Sequence, residues 1–206
     1  MAKTLDAYVQ TTLKDDHSGH GYDHAKRVRS LARRLQKEEG GDLTIIETAA
    51  LVHDTIDSKL FEDASKQIAL LKGELVSLHY SQKEIEAILD IITHMSWHLH
   101  DQSEKSFEAK IVIDCDRLEA LGAIGLVRTI EYGASKGRAF YEENNLVYQN
   151  GKASFKESTE TTLSHFYDKL LKLEGTFYTA TAEKEAKRRS DFLRAFLDEF
   201  YHELSV

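Results

Sequence analysis

Proline is absent from this chain of 206 residues, and cysteine occurs once, as Cys115. A lone cysteine excludes an internal disulfide framework and fits a reducing compartment. Without proline, and with sparse glycine beside many strong helix formers, the composition points to an all-helical architecture. No apolar stretch approaches the ~20 residues needed to cross a bilayer. Met1 to Asp6 also lacks the apolar core of a signal peptide. A cytoplasmic protein without a membrane partner is therefore expected. Positive charge is in deficit, with 27 Lys and Arg against 35 Asp and Glu and a formal net charge of -8. That argues against a nucleic-acid polymer as partner, which calls for clustered cations. It leaves small phosphorylated ligands open, because a metal and a few local cations can hold a phosphate inside an acidic protein.

The remaining composition, 41% hydrophobic and 30% charged, is that of an ordinary globular chain. Helical spacing dominates it. Val28, Leu31, Ala32 and Leu35 recur at i, i+3, i+4 and i+7 before Gly40-Gly41, a natural stop. Asp42 is placed to cap a helix whose inner face carries Leu43, Ile46 and Ala50. Ser81 to Glu84 spells a capping box ahead of Ile85, Ile88, Leu89 and Ile92. Leu163, Phe166, Leu170 and Leu173 suggest one amphipathic helix, and Phe192, Phe196 and Phe200 with Leu193 and Leu197 the last. The break is residues 141–156, polar and rich in Asn, whose periodicity leaves a loop, a short hairpin and a lid all open. One helical domain over residues 1–206 with one long polar loop or lid is the economical organisation.

Chemistry concentrates in four positions: His24, the adjacent pair His53-Asp54, and Asp116. A His-Asp dipeptide alone is weak evidence in a chain with many of both. Adjacent helical residues point about 100° apart, so the pair can face one ion only near a helix end or across a junction. The apolar run from Thr44 to Val52 stops there, which makes a junction reasonable. Two imidazoles and two carboxylates suit one divalent ion of borderline character: manganese, iron, zinc, cobalt or nickel, with magnesium also open. Asp57 lies one turn beyond Asp54 if the helix persists, placed to orient or deprotonate a water. His20, Arg27, Lys59 and Arg117 stand around this set as groups a phosphate would need. His94 reads equally as a core histidine or as part of a site. His79, His98, His100 and His202 read as surface residues, and Arg188 and Arg189 as a solvated helix face. Tyr178 and Phe177 could stack a base, although packing is the simpler reading.

These residues carry a resemblance. Ser18-Gly19-His20, His24 with Arg27-Val28, His53-Asp54 and Asp116 resemble the HD-domain metal-dependent phosphohydrolases. The run Glu108 to Val112, the block Asp116 to Gly125 and the stretch His165 to Leu173 resemble a small bacterial single-domain branch of that family. The likeness spans about Ser18 to Glu203. It implies an all-α, single-domain HD-type helical bundle and His24, His53, Asp54 and Asp116 as metal ligands. It further matches His20 to the extra histidine that precedes the first ligand and Asp57 to the acidic residue that assists hydrolysis, so both are expected to be catalytic. Lys59, Arg117, Arg27 and His94, the last at a position where the family varies, are expected to bind substrate by their own chemistry. The activity implied is hydrolysis of nucleotides, with release of pyrophosphate from (deoxy)nucleoside triphosphates and manganese favoured. Another phosphate bond, or a metal- and nucleotide-binding sensor without chemistry, is the alternative. A homodimer is left open. Cys115 stands where this branch would have alanine, and Gly21 where it would have aspartate.

Overall fold

The computed structural model describes residues 4–14, 19, 21–57, 60–95, 104–143, 146–149, 152–155 and 160–204. They are all-helical apart from one hairpin. Residues 1–116 and 117–206 form two compact units, and the boundary falls inside a helix.

The first unit holds α1 (Leu5–Thr12), α2 (Tyr22–Glu39), α3 (Leu43–Val52), a 3-10 turn (His53–Ile56), α4 (Ala64–Ser77), α5 (Gln82–His94) and most of α6 (Phe107–Glu119). Local chemistry sets these limits. Gly40 ends α2 with φ +94, a left-handed conformation that costs glycine little. Asp42 then caps α3 by accepting from the Ile45 N–H at 3.2 Å. Ser81 and Glu84 form the reciprocal box at the start of α5. Val28, Leu31, Ala32, Leu35, Ile46 and Ala50 are all buried, as are Ile85, Ile88 and Ile92. Leu43 departs from the expected inner face: it opens the first turn of α3 and is exposed. α3 packs against both α2 and α5, and α5 also packs against the 3-10 turn. α1 is tied to α2 through Asp6, which accepts from Arg29 Nη1 and Nη2 at 2.9 and 2.7 Å and from the Tyr22 hydroxyl at 2.8 Å.

The second unit holds the end of α6, then α7 (Gly122–Ser135), β1 (Leu146–Gln149), β2 (Lys152–Phe155), α8 (Thr162–Asp168), a 3-10 turn (Leu170–Lys172) and α9 (Ala180–Leu204). The strands pair antiparallel, Leu146 with Phe155 and Gln149 with Lys152. The polar stretch 141–156 thus carries a hairpin rather than a structureless loop. Leu163 to Leu173 is not one helix either. α8 ends at Asp168 and the 3-10 turn follows, although Leu163, Phe166, Leu170 and Leu173 are all buried. On α9 the inner face is Leu193, Leu197 and Tyr201, while Phe192 is exposed and Phe196 and Phe200 stack at its margin. No helix among the described residues is long and apolar enough to cross a membrane.

Arg189 is not a solvated residue. It donates from Nε to Glu185 at 2.8 Å and from Nη1 to the Leu118 carbonyl at 2.6 Å. Arg188, which is exposed, donates to Glu185 from Nε and Nη2 at 3.0 and 2.8 Å. These hydrogen bonds, Arg188 first, hold the Glu185 carboxyl down at about 2 against an ordinary 4.5. A depressed carboxyl stabilises the fold above its unfolded pKa, and that contribution is lost as pH falls towards the folded value. Glu185→Gln should therefore cost about 1–2 kcal/mol at pH 7, after allowing for solvent screening at Arg188. In urea titrations the gap to the unsubstituted protein should close progressively between about pH 4.5 and pH 2, following those two pKa values. A gap independent of pH would rule out the charge as its source.

Candidate metal centre

α3 is nearly all apolar, and its end is enforced locally. The Thr55 hydroxyl donates to the Val52 carbonyl at 2.7 Å, competing with helix continuation. The backbone tightens into the 3-10 turn His53–Ile56, which turns about 120° per residue instead of 100°. His53 and Asp54 therefore leave the chain at a junction, the one place where neighbours can converge. His53 is oriented by its own helix: its Nδ1 is 2.9 Å from the Ala50 carbonyl, so Nε2 points at the carboxylates.

From α2, His24 brings its Nε2 to 3.6 Å from Asp54 Oδ2, and His53 Nε2 lies 3.3 Å from the same oxygen. Asp116, on α6, places Oδ1 3.3 Å from His24 Nε2 and 3.7 Å from His53 Nε2. The two imidazole rings meet edge to face at 5.2 Å. One atom each from His24, His53 and Asp54 lies within 4.8 Å of the others, and all three residues are buried. Asp116 is the open side, its side chain 41% exposed. Burial alone would lower the pKa of His53. The Asp54 carboxylate, then Asp116 and the Ala50 carbonyl, outweigh it and hold the imidazole up at about 9.

The donor set fits a divalent cation. Two ligand atoms each about 2.1 Å from one ion stand roughly 3.0–3.4 Å apart at octahedral or tetrahedral angles. Three of the four residues are shielded from water, and two carboxylates supply charge opposite to the ion's. Neutral imidazole with its second N–H given to a backbone carbonyl is the ordinary orientation of a ligating histidine.

The other candidates are placed as follows. Asp57 follows the turn directly; its backbone is extended (φ −65, ψ 123) and its side chain half-buried. The helix does not persist to Asp57, because the 3-10 turn ends at Ile56. Arg27 lies one turn beyond His24 on α2 and is half-buried. His94 is not a core histidine. Its side chain is half exposed at the end of α5, with Nδ1 2.9 Å from the Asp90 carbonyl. Arg117, in the second unit, donates from Nη1 to the Thr176 carbonyl at 2.6 Å and covers the Tyr178 ring at 5.3 Å. Tyr178 is exposed, so it is not packing residue material, and its face is taken by Arg117. His20 and Lys59 lie outside the described residues, as do His98 and His100. Sequence patterns did not single out a cavity of about 350 Å³ beside His94, bordered by Asp90, Glu104, Lys105 and Ser106. Its walls come from two helix ends, and helical periodicity is silent about such ends.

Comparison with known proteins follows the same geometry. The family model of the HD domain matches residues 21–121, a span that contains His24, His53, Asp54 and Asp116. The chain is 34% identical over 200 residues to the uncharacterized protein YpgQ of Bacillus subtilis (strain 168), covering 96% of this chain and 90% of YpgQ. The crystal structure of Bacillus subtilis YpgQ in complex with ADP matches with a TM-score of 0.78 and 30% identity, covering 97% of this chain and 95% of that one. An HD-superfamily hydrolase from Bacillus thuringiensis matches with a TM-score of 0.78 and 35% identity, covering 98% and 95%.

Proposed function

The chain belongs to the HD domain family, and from that premise we propose that it is a divalent-metal-dependent phosphohydrolase acting on nucleotides. The preferred reaction is release of pyrophosphate from (deoxy)nucleoside triphosphates. The observation that carries this reading is the convergence of the side chains of His24, His53, Asp54 and Asp116, the first three buried and Asp116 on the open side. The ADP bound to the YpgQ structure supports a nucleotide as the ligand class.

His24, His53, Asp54 and Asp116 would hold the ion, with manganese preferred. Bound there, it supplies a positive charge that polarises a phosphoryl oxygen and makes a nearby water more acidic. The chain's own groups do the rest. Asp57 accepts the proton of a water attacking the α-phosphorus, and the bond to the bridging oxygen breaks so that pyrophosphate leaves with that electron pair. His20, Arg27 and Lys59 hold phosphate oxygens and balance charge as it develops. Arg117, which donates to the Thr176 carbonyl, adds a positive charge that favours an anionic phosphate. The Asp116 side of the site, open to solvent, is the way in for substrate.

The test is a manganese-supplied assay over ribo- and deoxynucleoside mono-, di- and triphosphates, with pyrophosphate and orthophosphate scored separately. Pyrophosphate from the triphosphates is expected. Orthophosphate alone would move the protein to a nucleotide phosphatase. Silence on every substrate, with the ion bound, would leave a nucleotide sensor as the better reading.

A further inference from the structure

The cavity beside His94 opens between the C-terminal end of α5 and the N-terminal end of α6, and has a volume of about 350 Å³. Ile91 and Ile113 give it an apolar floor. That is the lower end of the range for small-molecule sites, enough for one flat ring system and part of a sugar.

Its position follows from helix geometry. Ala109 and Ile113 line it; with Asp116 they stand at i, i+4 and i+7 of α6, on one face. At 1.5 Å of rise per residue, the cavity wall runs roughly 5 to 10 Å along that face from Asp116. The opposite wall is α5, the helix that packs against the 3-10 turn bearing His53 and Asp54. Cavity and metal cluster thus share both supports within one unit.

Its polar groups are unevenly matched. His94 Nδ1 lies 2.9 Å from the Asp90 carbonyl and 3.1 Å from Asp90 Oδ1; in the tautomer that carries its proton on Nδ1, the ring presents Nε2 as an acceptor. The carboxylates of Asp90 and Glu104 add only acceptors. Ser106 Oγ accepts from the Ala109 N–H at 3.1 Å and keeps its own hydroxyl hydrogen to give. Among the described lining residues, Lys105 is the one lysine or arginine. A phosphate here would meet two carboxylates, so phosphate belongs at the cluster and something rich in N–H donors belongs here.

We propose that this cavity is the base subsite, and that its acceptors favour nucleobases bearing an exocyclic amino group over thymine and uracil. Guanine, adenine and cytosine each offer amino hydrogens to a carboxylate. Thymine and uracil offer one ring N–H flanked by two carbonyl oxygens, which a carboxylate repels. The proposal rests on the nucleotide reading above and adds to it the group that decides which nucleotide.

The experiment is calorimetric titration of the manganese-loaded protein with dGMP, dAMP, dCMP and dTMP, beside kcat/KM for the four triphosphates. Amino-bearing monophosphates should bind about tenfold more tightly than dTMP. That is far less than an enclosed hydrogen-bonding site achieves, because the Asp90 side chain is 69% exposed. In Asp90→Asn/Glu104→Gln, and to a lesser degree in Glu104→Gln alone, the preference should shrink to within about threefold. Equal binding of all four by the unsubstituted protein, or a preference unchanged in the double variant, overturns the subsite. Pyrophosphate release without base preference would do so while leaving the reaction intact. Base-selective binding with no hydrolysis would keep the subsite and overturn the reaction.

Discussion

Asp54→Ala should lose its ion and its hydrolytic activity together. Asp54 is the carboxylate that both buried imidazoles approach, at 3.3 and 3.6 Å, and it is itself buried. Without it, the carboxylate left beside the two imidazole nitrogens among the described residues is Asp116, whose side chain is 41% exposed. Elemental analysis after dialysis should show manganese falling from about one per chain to below about a tenth, since binding depends on ligand number and charge. The rate should fall by about 10³ or more, because the ion contributes several kcal/mol at the transition state and each 1.36 kcal/mol is tenfold. Asp23→Ala is the control: Asp23 adjoins His24 in sequence, yet its carboxylate is exposed and pairs with Lys26 at 2.7 Å. It should keep both ion and activity. Circular dichroism and thermal melts report whether Asp54→Ala is folded. A folded Asp54→Ala protein that retained its ion and turned over normally would remove the foundation of the proposed function.

Glycine to alanine should have opposite signs at two helical positions. Gly125 sits in the first turn of α7, a few residues after α6 ends at Glu119. A Cβ there would stand 2.2 Å from the Ala120 carbonyl oxygen and 2.3 Å from its carbon. Both are backbone atoms, so no side chain can swing aside. Gly73, within α4, is exposed and would meet nothing within 4 Å. Alanine is intrinsically better than glycine in a helix by about 1 kcal/mol. Gly73→Ala should therefore stabilise by about 0.5–1 kcal/mol. Gly125→Ala should destabilise by about 2–4 kcal/mol, the cost of overpacking against a rigid neighbour less the helix gain. For a chain of this size that lowers Tm by roughly 5–15 °C. Parallel melts of the two variants decide the matter, and a stabilised Gly125→Ala would show that the turn into α7 is looser than its geometry indicates.

Gly125 also explains something about legibility. The block Asp116 to Gly125 carried the most specific resemblance, and two of its glycines answer to backbone demands: Gly122 has φ +72 and Gly125 has no room for a Cβ. Helices α2, α3 and α5 were readable because their apolar spacing and caps are local. The junction at His53-Asp54 was readable because adjacent ligands require one. Leu43, Phe192 and the break after Asp168 were misjudged, since periodicity assigns a face but not where that face runs out of neighbours. Arg189 is a different case: its carbonyl partner at Leu118 belongs to backbone brought close only by the fold, and a sequence shows no mark at a carbonyl that will accept an arginine. The cavity beside His94 lies between two helix ends, about which apolar periodicity says nothing.

The spacing of the four converging residues has a kinetic side. His24 and Asp116 stand about 90 residues apart in the chain. Bringing such ends together costs the unfolded chain about 4 kcal/mol of loop-closure entropy. The centre is thus a long-range closure that cannot exist until α6 has been synthesised and has docked against earlier helices. An ion gripped by both ends would then act as a removable cross-link, slowing chain opening much as a disulfide across a comparable loop does. A chain with one cysteine has no covalent means to that end.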